Sequence, residues 1–117
     1  MKLVRLYSKL NDIHKAIPLS LISFEAARNA KNANTVRALS EMQGILKLWV
    51  EKHKGVELAP FSAGQIKKHA TGSGSASKDD MIAAATKNHP DVEIIDDNHA
   101  DALCLLDLTI DWYGEKD

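Results

Sequence analysis

The chain has 117 residues, a formal net charge of −1, 44% hydrophobic residues and 26% charged residues, proportions of one soluble globular domain. No apolar run approaches the ~20 residues that span a bilayer, and the charged, amphipathic start Met1-Lys2-Leu3-Val4-Arg5-Leu6 does not read as a secretory signal. Cys104 is the only cysteine, which excludes an internal disulfide and a multi-cysteine zinc site and fits a reducing, cytoplasmic compartment.

Leu3, Leu6, Leu10 and Ile13 recur at helical spacing, so residues 2–15 read as an amphipathic helix, with Pro18 marking its end. Leu19 to Glu25 is short, apolar and partly β-branched, a buried strand that ends on a carboxylate. A polar segment holding Arg28 and Lys31 follows. Asn34 is placed to cap the next helix. That helix carries Val36, Leu39, Met42, Leu46, Trp49 and Val50 on one face to about residue 53, and Gly55 closes it. Residues 56–60 read as a second strand stopped by Pro60. A short helix over 62–70 leads into a Gly/Ser loop at 71–77. Ser77 and Asp80 have capping-box spacing and open a helix over 78–88, which ends before Pro90. Val92 to Ile95 is a candidate extended piece. The last helix spans 97–113, with Ala100, Leu103, Cys104, Leu106, Leu108 and Ile110 mostly inward. No repeat or long linker divides the chain, so a single domain over 1–117 is expected.

The near-neutral total hides an asymmetry. Residues 1–60 carry 10 Lys/Arg against 5 Asp/Glu, a balance of +5, while residues 61–117 carry 5 against 11, a balance of −6. One acidic end explains this, as does a basic surface set beside an acidic cluster that meets DNA. The loop Gly72-Ser73-Gly74-Ser75-Ala76 lies between Lys67-Lys68 and Lys78. Such a loop is expected to expose backbone amides and admit phosphate oxygens, with lysines adding charge at both ends. Glu25 is either a solvated strand end or a ligand at a sheet edge. Asp97 and Asp101, at i and i+4, share a helix face, and Asn98 lies near it. They either complement the helix dipole or hold a divalent cation. No histidine pair has zinc spacing, and His99 stands out only because it lies inside the acidic turn.

Taken in order, Phe24-Glu25, Ala30 to Ala33, Gln65-Ile66-Lys67, Gly72 to Ala76 with Lys78, and Ala100-Asp101-Ala102-Leu103 resemble the RuvC-type Holliday-junction resolvases of the ribonuclease H-like superfamily. Lys67-Lys68-His69-Ala70-Thr71-Gly72 and the Asp96 to Leu103 string look most like the phage-encoded branch. The resemblance runs from about residue 2 to residue 110. It implies an α/β, helix-rich ribonuclease H-like fold in the order helix–strand–helix–strand–helices, and a homodimeric endonuclease that cuts branched DNA in a bacterium or a phage-infected cell. It also implies Mg²⁺ or Mn²⁺ held by carboxylates: Glu25 and Asp101, with Asp97 substituting for a carboxylate many relatives carry where Asn98 stands. Lys67 and Lys78 would lie near the cleaved phosphate, with Lys68, Lys31, Arg28, Gly72 and Gly74 along the DNA path.

The chain also departs from the family pattern. Relatives open with a three-stranded meander bearing a leading catalytic aspartate, and this sequence begins at the helix after it. Asp12 is the only carboxylate in residues 1–18, and it lies in a helix pattern. Arg28 stands where an aromatic often stacks into the junction. A fold lacking those strands is expected to pair as a dimer or dock on a chain that supplies them. The alternative function is a catalytically impaired module that binds DNA or a partner. A third possibility, an all-helical interaction protein, would require the strand readings to fail.

Overall fold

A computed structural model describes residues 2–26 and 32–114. The elements are α1 (Lys2–Ala16), β1 (Leu21–Glu25), α2 (Ala33–Glu51), β2 (Glu57–Phe61), α3 (Ala63–Thr71), α4 (Lys78–Asn88) and α5 (Asp97–Tyr113). They form a helix-rich α/β arrangement with a parallel two-stranded sheet. Parallel strands need a crossover, and α2 supplies it. The chain divides into two compact units, Met1–Pro60 and Phe61–Asp117.

The first unit is organised around Trp49. Leu10, Phe24, Leu46, Trp49 and Val56 form its buried cluster, so α1, β1, α2 and the approach to β2 each contribute. The Trp49 ring is fully buried (0% exposed). Its Nε1–H donates to Asn11 Oδ1 at 2.8 Å, which removes the cost of burying the indole N–H. His53 stacks on the indole at 3.9 Å, and His14 meets it edge-on at 5.1 Å. His14 Nδ1 accepts from the Leu19 backbone N–H at 2.9 Å, joining the turn after α1 to the same cluster.

Local chemistry adjusts several boundaries. Asn32, not Asn34, caps α2: its backbone is extended and its side chain accepts from Thr35 N at 2.8 Å, while Asn34 lies inside the helix. The helix stops at Glu51, and Gly55 (φ 90°) turns the chain into β2 rather than capping α2. β2 runs through Pro60 to Phe61. In a two-stranded sheet each strand keeps a free edge, where the missing proline N–H costs no ladder bond. Residues 92–95 form no strand.

The second unit is helical, with α3, α4 and α5 packed on one another. Ile66, Met81, Ala85, Ala100, Cys104 and Leu108 are buried. Alanine at 85 and 100 lets α4 and α5 approach closely. The buried stripe of α5 is thus Ala100, Cys104 and Leu108, at four-residue spacing. Leu106 and Ile110 were expected inward but are 47% and 56% exposed. They stand two residues out of phase with the stripe, about 200° round the helix. Burial first, and the carboxylates Asp107 and Asp101 second, push the Cys104 thiol up. It is a packed, unreactive thiol. His89 Nε2 lies 2.9 Å from both Asp107 oxygens, and His69 Nε2 lies 2.6 Å from Asp111 Oδ2, so α4 and α3 are each tied to α5.

Candidate functional site at the start of α4 and α5

The loop between α3 and α4 is built by its own hydrogen bonds. Gly72 ends α3 in the left-handed region at φ 88°, with its N–H on Lys68 O at 2.8 Å. Ser73 N donates to Thr71 Oγ1, Ser75 N to Ser73 Oγ, Ala76 N to Ser73 O and Ser77 N to Asp80 Oδ2. These amides are consumed within the loop, so the expected phosphate cradle of exposed amides does not form from them. Gly72 serves the turn. A Cβ at Gly74 would meet Gly64 O at 3.7 Å and Gly64 Cα at 4.0 Å, both ordinary contacts, so nothing there demands glycine. Gly72→Ala is expected to destabilise the fold by about 1 kcal/mol through the strained left-handed backbone, read as a lower urea midpoint with an unchanged slope.

Two helix starts stand together beyond this loop. Ser77 and Asp80 form the capping box that opens α4 at Lys78. Those hydrogen bonds from Ser77 hold the Asp80 carboxyl below its usual range. Asp96 caps α5 by accepting from His99 N at 2.8 Å, and His99 Nδ1 accepts from Ile95 N at 3.1 Å. Asp96 and His99 therefore have structural tasks, which leaves Asp97 and Asp101 as the carboxylates of this turn without a capping role.

Lys78 Nζ lies 3.6 Å from Asp97 Oδ2. One turn on, Asp101 is raised above its ordinary value. Desolvation is the largest cause and the Asp97 charge the second, while Lys67 and Lys78 pull the other way. The residue as a whole is exposed, but its carboxyl still feels the packed helix surface beneath it. Within the second unit Asp101 thus lies in electrostatic reach of Asp97, Lys67 and Lys78, and Lys78 in turn faces Asp97. Lys68 is exposed on α3. Glu25 ends β1 in the first unit, half-buried, and has interaction partners of its own. Arg28 and Lys31 lie outside the described residues.

Among the described residues no group of three or more His, Cys, Asp or Glu side chains is arranged to hold a metal ion. The chemistry of the Asp97–Asp101 pair nevertheless suits a hard cation: both donors are carboxylate oxygens, and their repulsion is only partly offset by lysines.

The sequence profile described as "Crossover junction endodeoxyribonuclease RuvC" matches residues 1–106. The chain belongs to the RuvC family. Its fold matches the "Thermus thermophilus RuvC structure" with a TM-score of 0.69 at 18% identity, over 95% of this chain. It spans 66% of that structure's chain, just under two thirds. No curated protein matches. Within the RuvC fold, the pairs His89–Asp107 and His69–Asp111 had no sequence signal, because 18 and 42 residues separate the partners. Among the described residues no helix is long and apolar enough to cross a membrane.

Proposed function

We propose that this RuvC-family protein is a divalent-metal-dependent, structure-selective endonuclease that hydrolyses phosphodiester bonds in branched DNA. The observation that carries the reading is the Asp97–Asp101 pair with Lys67 and Lys78 beside it. Membership of a family described as crossover junction endodeoxyribonuclease supports it. Asp97 and Asp101 would hold Mg²⁺ or Mn²⁺, with Glu25 as a further ligand. When bound, the ion supplies activation of water and neutralisation of the leaving oxygen. Lys78 and Lys67 would hold and orient the scissile phosphate, and Lys68, Arg28 and Lys31 would add charge along the DNA. Gly72 would let the backbone pass close to the loop, and Gly74, having no side chain, would not obstruct it. The chain would act as one domain, paired with a second copy or with a partner chain, in the bacterial or infected-cell cytoplasm. Exposed Val4, Ile17, Leu106 and Ile110 are consistent with such pairing.

The test is a synthetic four-way junction incubated with the protein and Mg²⁺ or Mn²⁺. Paired nicks are expected, and Glu25→Gln is expected to reduce them by about 100-fold or more if Glu25 is a ligand. Native mass spectrometry checks pairing, and a folded monomer alone would count against it.

One observation favours a second reading. The Lys78 ammonium already faces Asp97, partly neutralising a carboxylate that a metal would use. In that reading the protein holds junctions without cutting them. Tight, steeply salt-dependent junction binding with no cleavage in either metal would select it.

A further inference from the structure

The face of α4 away from α5 bounds a second site. Met81 and Ala85 are buried on one side of α4, and Cys104 Sγ of α5 points at Met81 O. Asp80, Ala83, Ala84 and Lys87 share the other side, where residues three and four apart are neighbours. With Thr71 and Ser73 from the end of α3 and its loop, they bound an open cleft of about 430 Å³. Alanines keep its floor low, and the threonine and serine make its rim polar.

The cleft is polarised. Asp80 sits at one end, and its hydrogen bonds to Ser77 keep it ionised. Lys87 sits seven residues further on, about 10 Å up the helix axis. It is exposed and forms no ion pair among the described residues. An anion is therefore favoured at the Lys87 end and excluded from the Asp80 end, while the neutral middle suits a sugar. That sequence of charge fits a nucleic-acid backbone entering from the Lys87 side.

Lys78 and Lys87 are nine residues apart, two and a half turns, so they stand on opposite faces of α4 and about 13 Å apart along it. A helix with its side chains is about 10 Å across. A backbone strand gripped by Lys78 would have to cross that width to reach Lys87. At a branch point, two backbones diverge, and a helix of this width fits between them.

We infer that the α3–α4 cleft binds the sugar–phosphate backbone of a second DNA arm, with Lys87 on a phosphate. The assignment rests on the branched-DNA reading above, and it makes α4 the element that distinguishes a junction from a linear duplex.

Fluorescence anisotropy with metal chelated tests it, using the full chain, a four-way junction and a linear duplex of one arm's sequence. Lys87→Glu is expected to weaken junction binding about 10-fold and to make its log–log salt slope shallower by about one. Duplex affinity should stay within about 2-fold, and Lys87→Gln should fall between the wild type and Lys87→Glu. An unchanged melting curve shows that the fold is intact, as expected for an exposed lysine. Unchanged junction affinity and slope in a wild type that binds junctions would overturn the inference alone. Equal losses on junction and duplex would overturn the second-arm assignment. A wild type that binds neither DNA would overturn the branched-DNA reading first, and this inference with it.

Discussion

Asp101→Asn is expected to lower junction cleavage by about 100-fold or more while leaving the fold at least as stable as wild type at neutral pH. The two halves of this expectation share one cause. Desolvation and the Asp97 charge raise the Asp101 pKa in the folded protein above the ordinary 3.8. The folded state thus holds this proton more tightly than the unfolded chain does. The corresponding stability is fully present below the unfolded pKa and is lost as pH rises through the raised folded pKa. At neutral pH the ionised Asp101 is a burden on the fold, and asparagine removes it.

Melting curves of both proteins across the acid range check the sign. The stability advantage of the variant should shrink as pH falls toward the usual carboxylate range, because protonated Asp101 and asparagine are then alike in charge. Adding Mg²⁺ or Mn²⁺ should stabilise the wild type more than the variant, since a ligand that binds only the folded state adds stability by mass action. A variant that cuts junctions at the wild-type rate would remove Asp101 from the site. Equal stabilisation of both proteins by Mg²⁺ would remove it from the metal.

Trp49→Ala is expected to cost about 3–5 kcal/mol, the range for emptying a large aromatic site in a core. That is a large part of the 5–15 kcal/mol that holds a typical domain together. Trp49 is fully buried, stacks on His53 and bonds Asn11, so its loss opens a cavity and removes that stacking and hydrogen bond. Trp49→Phe keeps most of the packing and should cost less.

The chain contains 2 tryptophans, and the structure puts one in each unit. Trp49 is buried in the first, while Trp112 in the second is 61% exposed and meets Phe61 edge-on at 5.6 Å. Emission from Trp49 in a Trp112→Phe background therefore reports the first unit, and Trp112 in the Trp49→Ala protein reports the second. Urea titrations of the wild type and of Trp49→Ala, followed by far-UV circular dichroism together with this fluorescence, measure the cost. A midpoint shift worth less than ~1 kcal/mol for Trp49→Ala would mean the site collapses without a cavity.

Much of this was legible in the chain. The helical spacing of Leu3, Leu6 and Leu10, the capping box of Ser77 and Asp80, and the i, i+4 placement of Asp97 and Asp101 are local patterns, and local backbone chemistry realises them. The ordered motifs also carried the family. Errors fell where near-equivalent residues compete or where one helix face must be chosen. Asn32 and Asn34 can both cap, and only the extended backbone at Asn32 decided between them. Leu106 and Ile110 are as apolar as their neighbours, but packing selected Ala100, Cys104 and Leu108, the stripe that lets α5 lie close to α4.

The sequence by itself determined the family, the order of elements and the residues that carry charge, because those follow from residue type and short spacing. Only the tertiary structure decided what those residues do to one another. The Ser73, Ser75, Ala76 and Ser77 amides, which looked open to phosphate, are taken by Thr71, Ser73 and Asp80, because a short turn satisfies most of its own donors. Asp101 is set apart from the other acidic residues of its turn because α3 and α4 bring Lys67, Lys78 and a desolvating surface against it. No local pattern encodes that environment, since charge and burial act through space.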